Sequence, residues 1–206
     1  MKNILYKEHW EKVYQAKNTH EMTWFQDNPE ISMNLIKGLK LKKEAKIIDV
    51  GGGDSKLVDF LLDEGFENIY VLDISEIAIN KAKKRLGEKA KKVTWFISDI
   101  LDFKTNIKFD LWHDRATFHF LTKEEQINTY LKLVSDSIIP KGYFTIGTFS
   151  ESGPDKCSGI EIKKYSELSM TSILAENFNK EECFEKEHIT PLKNKQNFLF
   201  CVFRRK

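Results

Sequence analysis

The sequence predicts an α/β fold: a seven-stranded, mostly parallel sheet with an antiparallel last strand and helices on both faces. Three observations predict it. Short apolar runs alternate with amphipathic stretches from Lys46 to Phe149, the pattern of strands joined by helical crossovers. The first run, Ile47-Ile48-Asp49-Val50, empties into three glycines, Gly51, Gly52 and Gly53, where such a sheet hands its chain to a helix. Near the C-terminus, Cys183–His188 and Phe198–Arg204 flank a short Thr-Pro-Leu-Lys-Asn-Lys loop. That loop has no room for a helical crossover, so the two runs form an antiparallel hairpin.

In order along the chain, Tyr6–Ala16 and Pro29–Leu39 read as helices covering one end of the sheet. Lys46–Val50 is the first strand. Ser55–Glu64 follows as a helix, with Leu57, Val58, Leu61 and Leu62 on one face and Gly65 as its stop. Asn68–Asp73 is the second strand. Ser75 suits an N-cap, and Glu76–Leu86 a helix that turns Ile77, Ile79, Ala82 and Leu86 inward. Val93–Ile97 and Phe109–His113 are the third and fourth strands. Lys123–Ser137 is a helix, Pro140-Lys141-Gly142 a turn, and Tyr143–Phe149 the fifth strand. The whole chain, residues 1–206, reads as one domain: a helical cap over 1–40, a ligand-binding core over 41–150, and a substrate-side loop with the hairpin over 151–206.

Composition narrows the class. The chain has 206 residues, enough for a core that needs no staples. Thirty-three Lys and Arg against 31 Asp and Glu leave a net charge of only +2, which argues against a dedicated nucleic-acid binder. The run from Lys81 to Lys92 reads as a solvated helix face. Three cysteines, Cys157, Cys183 and Cys201, form no C-x-x-C pair. Their odd number predicts a reducing compartment and no disulfide framework, and no metal-ligand spacing is visible. The first residues lack a secretory h-region and no stretch approaches the length of a membrane span, so the expected location is the cytoplasm.

The glycine loop specifies a ligand. Glycines let a ligand approach the backbone closely, and the next helix offers free N–H groups. Yet Lys56 stands where a dinucleotide fingerprint would have its third glycine, and Asp49 precedes the loop. A carboxylate there repels pyrophosphate and welcomes a cation. S-adenosylmethionine (SAM) has a positive sulfonium, an amine and no phosphate. Asp73, about 20 residues past the loop and followed by Ile74, is placed to accept both ribose hydroxyls. Asp99, after the third strand, is placed for an adenine amino group, with Ile100 against the ring. Trp24, with Phe25, could close the pocket and meet the sulfonium by cation–π attraction. Trp10 and Tyr14, one helical turn apart, read as packing residues.

With these motifs the chain resembles the Rossmann-like class I SAM-dependent methyltransferases over nearly its full length. Asp49-Val-Gly-Gly-Gly is similar to their SAM loop, Asp73 to their ribose acid and Asp99 to their adenine-side acid. Phe109-Asp-Leu-Trp-His-Asp-Arg115 is similar to the fourth-strand motif beside the reacting methyl group. Trp10…Tyr14…Trp24-Phe25-Gln26, Trp112 to Leu121, and Cys157-Ser158-Gly159 resemble a small bacterial subgroup similar to the citrate synthase lysine methyltransferase branch. The resemblance implies methyl transfer to a protein side chain, such as lysine, or to a small molecule, with S-adenosylhomocysteine as product.

Methyl transfer is largely a matter of holding nucleophile and methyl group in line, with a base only where the nucleophile must lose a proton. His113, Asp114, Arg115 and His119 are the candidates. A His can accept a proton; Asp114 could hold a cationic acceptor or orient a His; Arg115 could pair with Asp114 or bind a carboxylate. Two rival readings remain: a nicotinamide-dependent oxidoreductase, disfavoured by Asp49 and by the absence of a Tyr-x-x-x-Lys dyad, and a non-catalytic SAM-binding module.

Overall fold

A computed structural model describes residues 2–206. The chain forms two compact units, Met1–Phe103 and Lys104–Lys206.

The first unit contains α1 (Lys2–Ala16), α2 (Glu30–Gly38), β1 (Lys46–Val50), α3 (Leu57–Asp63), β2 (Asn68–Asp73), α4 (Glu76–Leu86) and β3 (Val93–Ile97). Ile47 to Val50 are all buried, as a strand covered on both faces requires. β1 and β2 run parallel from Lys46 opposite Asn68 to Val50 opposite Leu72. β2 and β3 run parallel from Ile69 opposite Val93 to Asp73 opposite Ile97. This register brings Val50, Asp73 and Ile97 to one end of the sheet. α4 begins where the sequence places it: the Ser75 hydroxyl accepts from Ala78 N at 3.1 Å. Ala78, Ile79, Ala82 and Leu86 form its buried face.

The second unit contains β4 (Phe109–Arg115), α5 (Glu124–Ser137), β5 (Ile138–Phe149), the short β6 (Lys156–Cys157) and β7 (Ile160–Glu161), α6 (Glu167–Leu174), β8 (Phe178–Ile189) and β9 (Lys195–Arg205). Its core is aromatic, with Phe109, Trp112, Phe118, Tyr130, Phe144 and Phe203 almost fully buried. The expected Pro140-Lys141-Gly142 turn lies within the span of β5, where Lys141 takes a φ of 68°. Gly142 is required there, because a Cβ would lie 2.7 Å from Ile138 Cγ2 and 3.0 Å from the Asp110 carbonyl.

The strand order is β3-β2-β1-β4-β5-β9-β8, a seven-stranded, mostly parallel sheet as the sequence predicts. β9 is antiparallel to both β5 and β8, so the reversed strand is inserted between two others and the last strand in sequence is not the sheet's edge. The cysteine reading needs correction: Cys183 and Cys201 are register partners in the β8–β9 hairpin, with Cα atoms 4.1 Å apart, and are joined by a disulfide. Counting cysteines could not reveal this, because the pairing depends on hairpin register. Cys157 is free and buried. Among the described residues no helix is long and apolar enough to cross a membrane.

Candidate functional site

The first unit contains all the residues predicted to hold the cofactor. Gly51 and Gly53 take φ values of 66° and 46°, the left-handed region that favours glycine. A Cβ on Gly52 would stand 2.7 Å from Asp49 Oδ2 and 2.9 Å from Val71 Cγ1. A Cβ on Gly53 would stand 2.6 Å from the Tyr14 hydroxyl and 3.0 Å from Asp73 Oδ2. The loop therefore lies tightly between two buried carboxylates, and only bare backbone fits.

Asp73 accepts from Ser75 N at 2.8 Å. Burial pushes its pKa up to about 7, and the nearby charges of Asp49 and Glu11 add to that rise. An acid cluster of this kind is stabilised by a cation or by hydroxyl donors. Asp54, next along the loop, is engaged by Arg85 and Thr19, and Lys56 pairs with Asp27 at 2.5 Å. These contacts fix the segment around Trp24 against the start of α3. The Trp24 ring lies 5.7 Å from Trp10 and 6.0 Å from Tyr14, a compact aromatic triangle.

A cleft of about 470 Å³ opens between α1, through Lys7, Glu11 and Gln15, and the strand-end residues Ile74, Ile97 and Asp99. Asp99 accepts from Leu101 N at 2.9 Å, and burial raises its pKa. Ile100 is buried.

The second unit holds the strand-four candidates and gives them different surroundings. Asp114 is fully buried and accepts from Thr117 N at 3.0 Å, Phe118 N at 3.3 Å and the Tyr130 hydroxyl at 2.5 Å. Tyr130 in turn accepts from Trp112 Nε1 at 3.2 Å. The carboxylate thus holds the turn in which Ala116 takes a φ of 71°, although burial still raises its pKa to about 6. Alternation along β4 points Trp112 and Asp114 to one face and His113 and Arg115 to the other. The Arg115 guanidinium lies over Phe198, 5.1 Å from the ring centre. His113 is buried.

His119 has no exposure and stacks on Phe149, with centroids 4.6 Å apart. Neither ring nitrogen has a hydrogen-bond partner. Burial, aided by nearby Arg115, lowers its pKa to about 3. The segment after β5 packs on this turn: Lys163 N donates to the His119 carbonyl at 2.8 Å, and Tyr165 N to the Phe149 carbonyl at 3.1 Å.

Sequence reasoning missed Glu11 and the bond from Tyr130 to Asp114, and read Tyr14 as mainly a packing residue. The signal for Glu11 was weak: an acid between Trp10 and Tyr14 on a helix. Tyr130 had the signature of a core residue, and nothing in its spacing announces a partner 16 residues away.

Residues 41–197 match the sequence model of the methyltransferase domain family. The chain belongs to that family. Among curated relatives, it is 29% identical over 122 residues to the eEF1A lysine and N-terminal methyltransferase of Mus musculus, an overlap of 58% of this chain but only 17% of the mouse protein. It is 28% identical over 159 residues to the EEF1A lysine methyltransferase 2 of Homo sapiens, covering 68% of this chain and 66% of that one. Among solved structures, the N-methyltransferase NodS of Bradyrhizobium japonicum, in complex with S-adenosylhomocysteine, superposes with a TM-score of 0.68 at 19% identity over 95% of this chain and 97% of that one.

Proposed function

We propose that this protein is a SAM-dependent methyltransferase acting on an amine, foremost a protein lysyl side chain. One observation carries the cofactor reading: the side-chain-free Gly52–Gly53 backbone pressed between Asp49 and Asp73. Phosphate would meet two carboxylates there, whereas a sulfonium, an amine and ribose hydroxyls are the groups two carboxylates favour. When bound, SAM supplies an electrophilic methyl group on a positive sulfur. Asp73 accepts from the ribose hydroxyls, Asp49 and the loop backbone hold the amino-acid part, and Ile74, Asp99 and Ile100 hold the adenine. Trp24 closes the loop side through its triangle with Trp10 and Tyr14.

The acceptor is assigned to the turn after β4. Asp114 organises that turn through its three hydrogen bonds. His119, with a pKa of about 3, stays neutral and is too weak a base to deprotonate an ammonium. Arg115 is a permanent cation, and a second cation beside it is disfavoured, so a lysine reaching this turn is biased towards its free-amine form and its proton leaves to solvent. His113 lines the same face of β4 as Arg115. The lysine acceptor is supported by the likeness to lysine methyltransferases. Methylation of a small-molecule amine is the second reading.

Calorimetric titration with SAM, S-adenosylhomocysteine and NAD(H), with Asp73→Ala in parallel, tests the cofactor. Micromolar binding of SAM or its product, lost in the variant, supports the reading. Tight NAD(H) binding with no response to SAM sinks it. Labelled methyl transfer into protein lysines or into small amines then separates the two acceptor classes.

A further inference from the structure

We infer that Glu11 is a positioning residue for the cofactor, latching α1 onto the helix that follows the ribose acid; this rests on the SAM reading above. The Glu11 carboxylate reaches 65 residues along the chain to the start of α4. It accepts from the Ser75 hydroxyl at 2.8 Å, Glu76 N at 2.8 Å and Ile77 N at 3.2 Å. It caps a helix to which it does not belong, at the positive end of the helix dipole.

A second contact secures the other end. Lys81, on α4, donates to the carbonyls of Tyr14 at 2.6 Å and Lys17 at 3.0 Å, at the C-terminus of α1. From Glu11 to Lys17 is roughly 9 Å along a helix, and from Glu76 to Lys81 roughly 7.5 Å, at about 1.5 Å per residue. The matched spacing aligns the two helices side by side in the same direction. Parallel dipoles repel; an acid at one N-terminus and a base at the other C-terminus offset that repulsion.

The latch bears on cofactor binding through two residues. Ser75, which donates its hydroxyl hydrogen to Glu11, gives its backbone N–H to Asp73, so the latch sets the orientation of the ribose acid. Tyr14, one turn beyond Glu11, then lies with its hydroxyl against Gly53. Glu11 itself lines the cleft with Ile74 and Asp99. Without the latch α1 could leave the strand ends, and both the orientation of Asp73 and the cleft's α1 wall would be lost.

The test compares wild type with Glu11→Ala, Glu11→Gln and Lys81→Met, using S-adenosylhomocysteine as the probe. The readouts are calorimetric Kd, melting temperature, and trypsin cleavage after Lys12 and Lys17 with and without the probe. Glu11→Ala loses three charge-assisted hydrogen bonds and should raise Kd about tenfold or more. Glu11→Gln keeps one acceptor oxygen and should stay within about threefold of wild type. Bound probe should protect Lys12 and Lys17 in wild type and fail to do so in Glu11→Ala. A purely structural Glu11 would lower the melting temperature and leave the Kd of the folded protein unchanged, which overturns the inference. If Glu11→Ala does not fold, Lys81→Met decides: a Kd raised several-fold supports the latch, and a wild-type Kd overturns it. Wild type that binds NAD(H) and ignores the probe sinks the SAM reading and the latch with it; wild type that binds the probe while every variant matches it sinks the latch alone.

Discussion

Asp73→Asn should make the protein more stable and unable to hold its cofactor. The carboxyl pKa rises from 3.8 to about 7 on folding, roughly three pH units, or ~4 kcal/mol at ~1.4 kcal/mol per unit. An acid raised in this way carries more protons folded than unfolded between the two values. Stability is therefore lost as pH climbs from about 4 to about 7, and the full penalty is present above that. Asparagine removes the charge and keeps an oxygen for the Ser75 N–H. The gain should reach at most ~4 kcal/mol near pH 8 and ~2 kcal/mol near pH 5, where part of the penalty has already been relieved by protonation.

Urea unfolding of the cofactor-free protein at the two pH values measures this, and a melting temperature several degrees higher near pH 8 should accompany it. Cofactor affinity should fall by about 100-fold or more, since an amide offers one acceptor where a ribose diol needs two, and each charge-assisted bond contributes about 1.5–3 kcal/mol. A stability change equal at both pH values would show that Asp73 is not a strained acid. A variant less stable than wild type near pH 8 would refute the reasoning outright.

Three further outcomes are expected. Tyr130→Phe takes the hydroxyl from Asp114 and should cost about 1–3 kcal/mol in urea unfolding; the loss should be larger near pH 8 than near pH 5, because the carboxyl, already raised to about 6, is charged at the higher pH. Cys183→Ser with Cys201→Ser opens a cross-link of sequence separation 18 and should cost about 2–3 kcal/mol, while calorimetry finds the affinity for S-adenosylhomocysteine unchanged. The pH profile of kcat should show no ionisation near the ordinary histidine value that His119→Gln abolishes, because burial holds that imidazole neutral down to about pH 3; such a limb would reinstate His119 as a base.

What was legible in the sequence was local. β1, β2, β3 and α4 have the boundaries that alternation, glycine and the Ser75 cap predict, since each signal lies within a few residues of what it controls. The three acids expected to hold the cofactor could be picked out for the same reason: each lies at or near the end of a strand that the pattern marks. The hairpin β6–β7 and helix α6 were too short to impose a period. The Cys183–Cys201 pair depended on register, and a slip of one residue would have turned the two side chains to opposite faces. Glu11 and Tyr130 act on partners 65 and 16 residues away, and no spacing rule links such pairs.

Asp73 and Asp114 show why residue type at a strand end cannot by itself assign a role. Both are buried, both lie near the end of a sheet strand, and burial raises both pKa values, to about 7 and about 6. Their surroundings separate them. Asp114 takes a tyrosine hydroxyl and two backbone donors from its own turn, so an acceptor would have to displace bonds already made. Among the described residues Asp73 takes only backbone donors, from Ser75 and Gly53, and two more acids stand near enough to raise its pKa further. A buried acid among acids is costly until a ligand brings hydroxyls or positive charge. On the function proposed above, that cost makes Asp73 the acid that holds the ligand, while the hydrogen bonds of Asp114 build the turn.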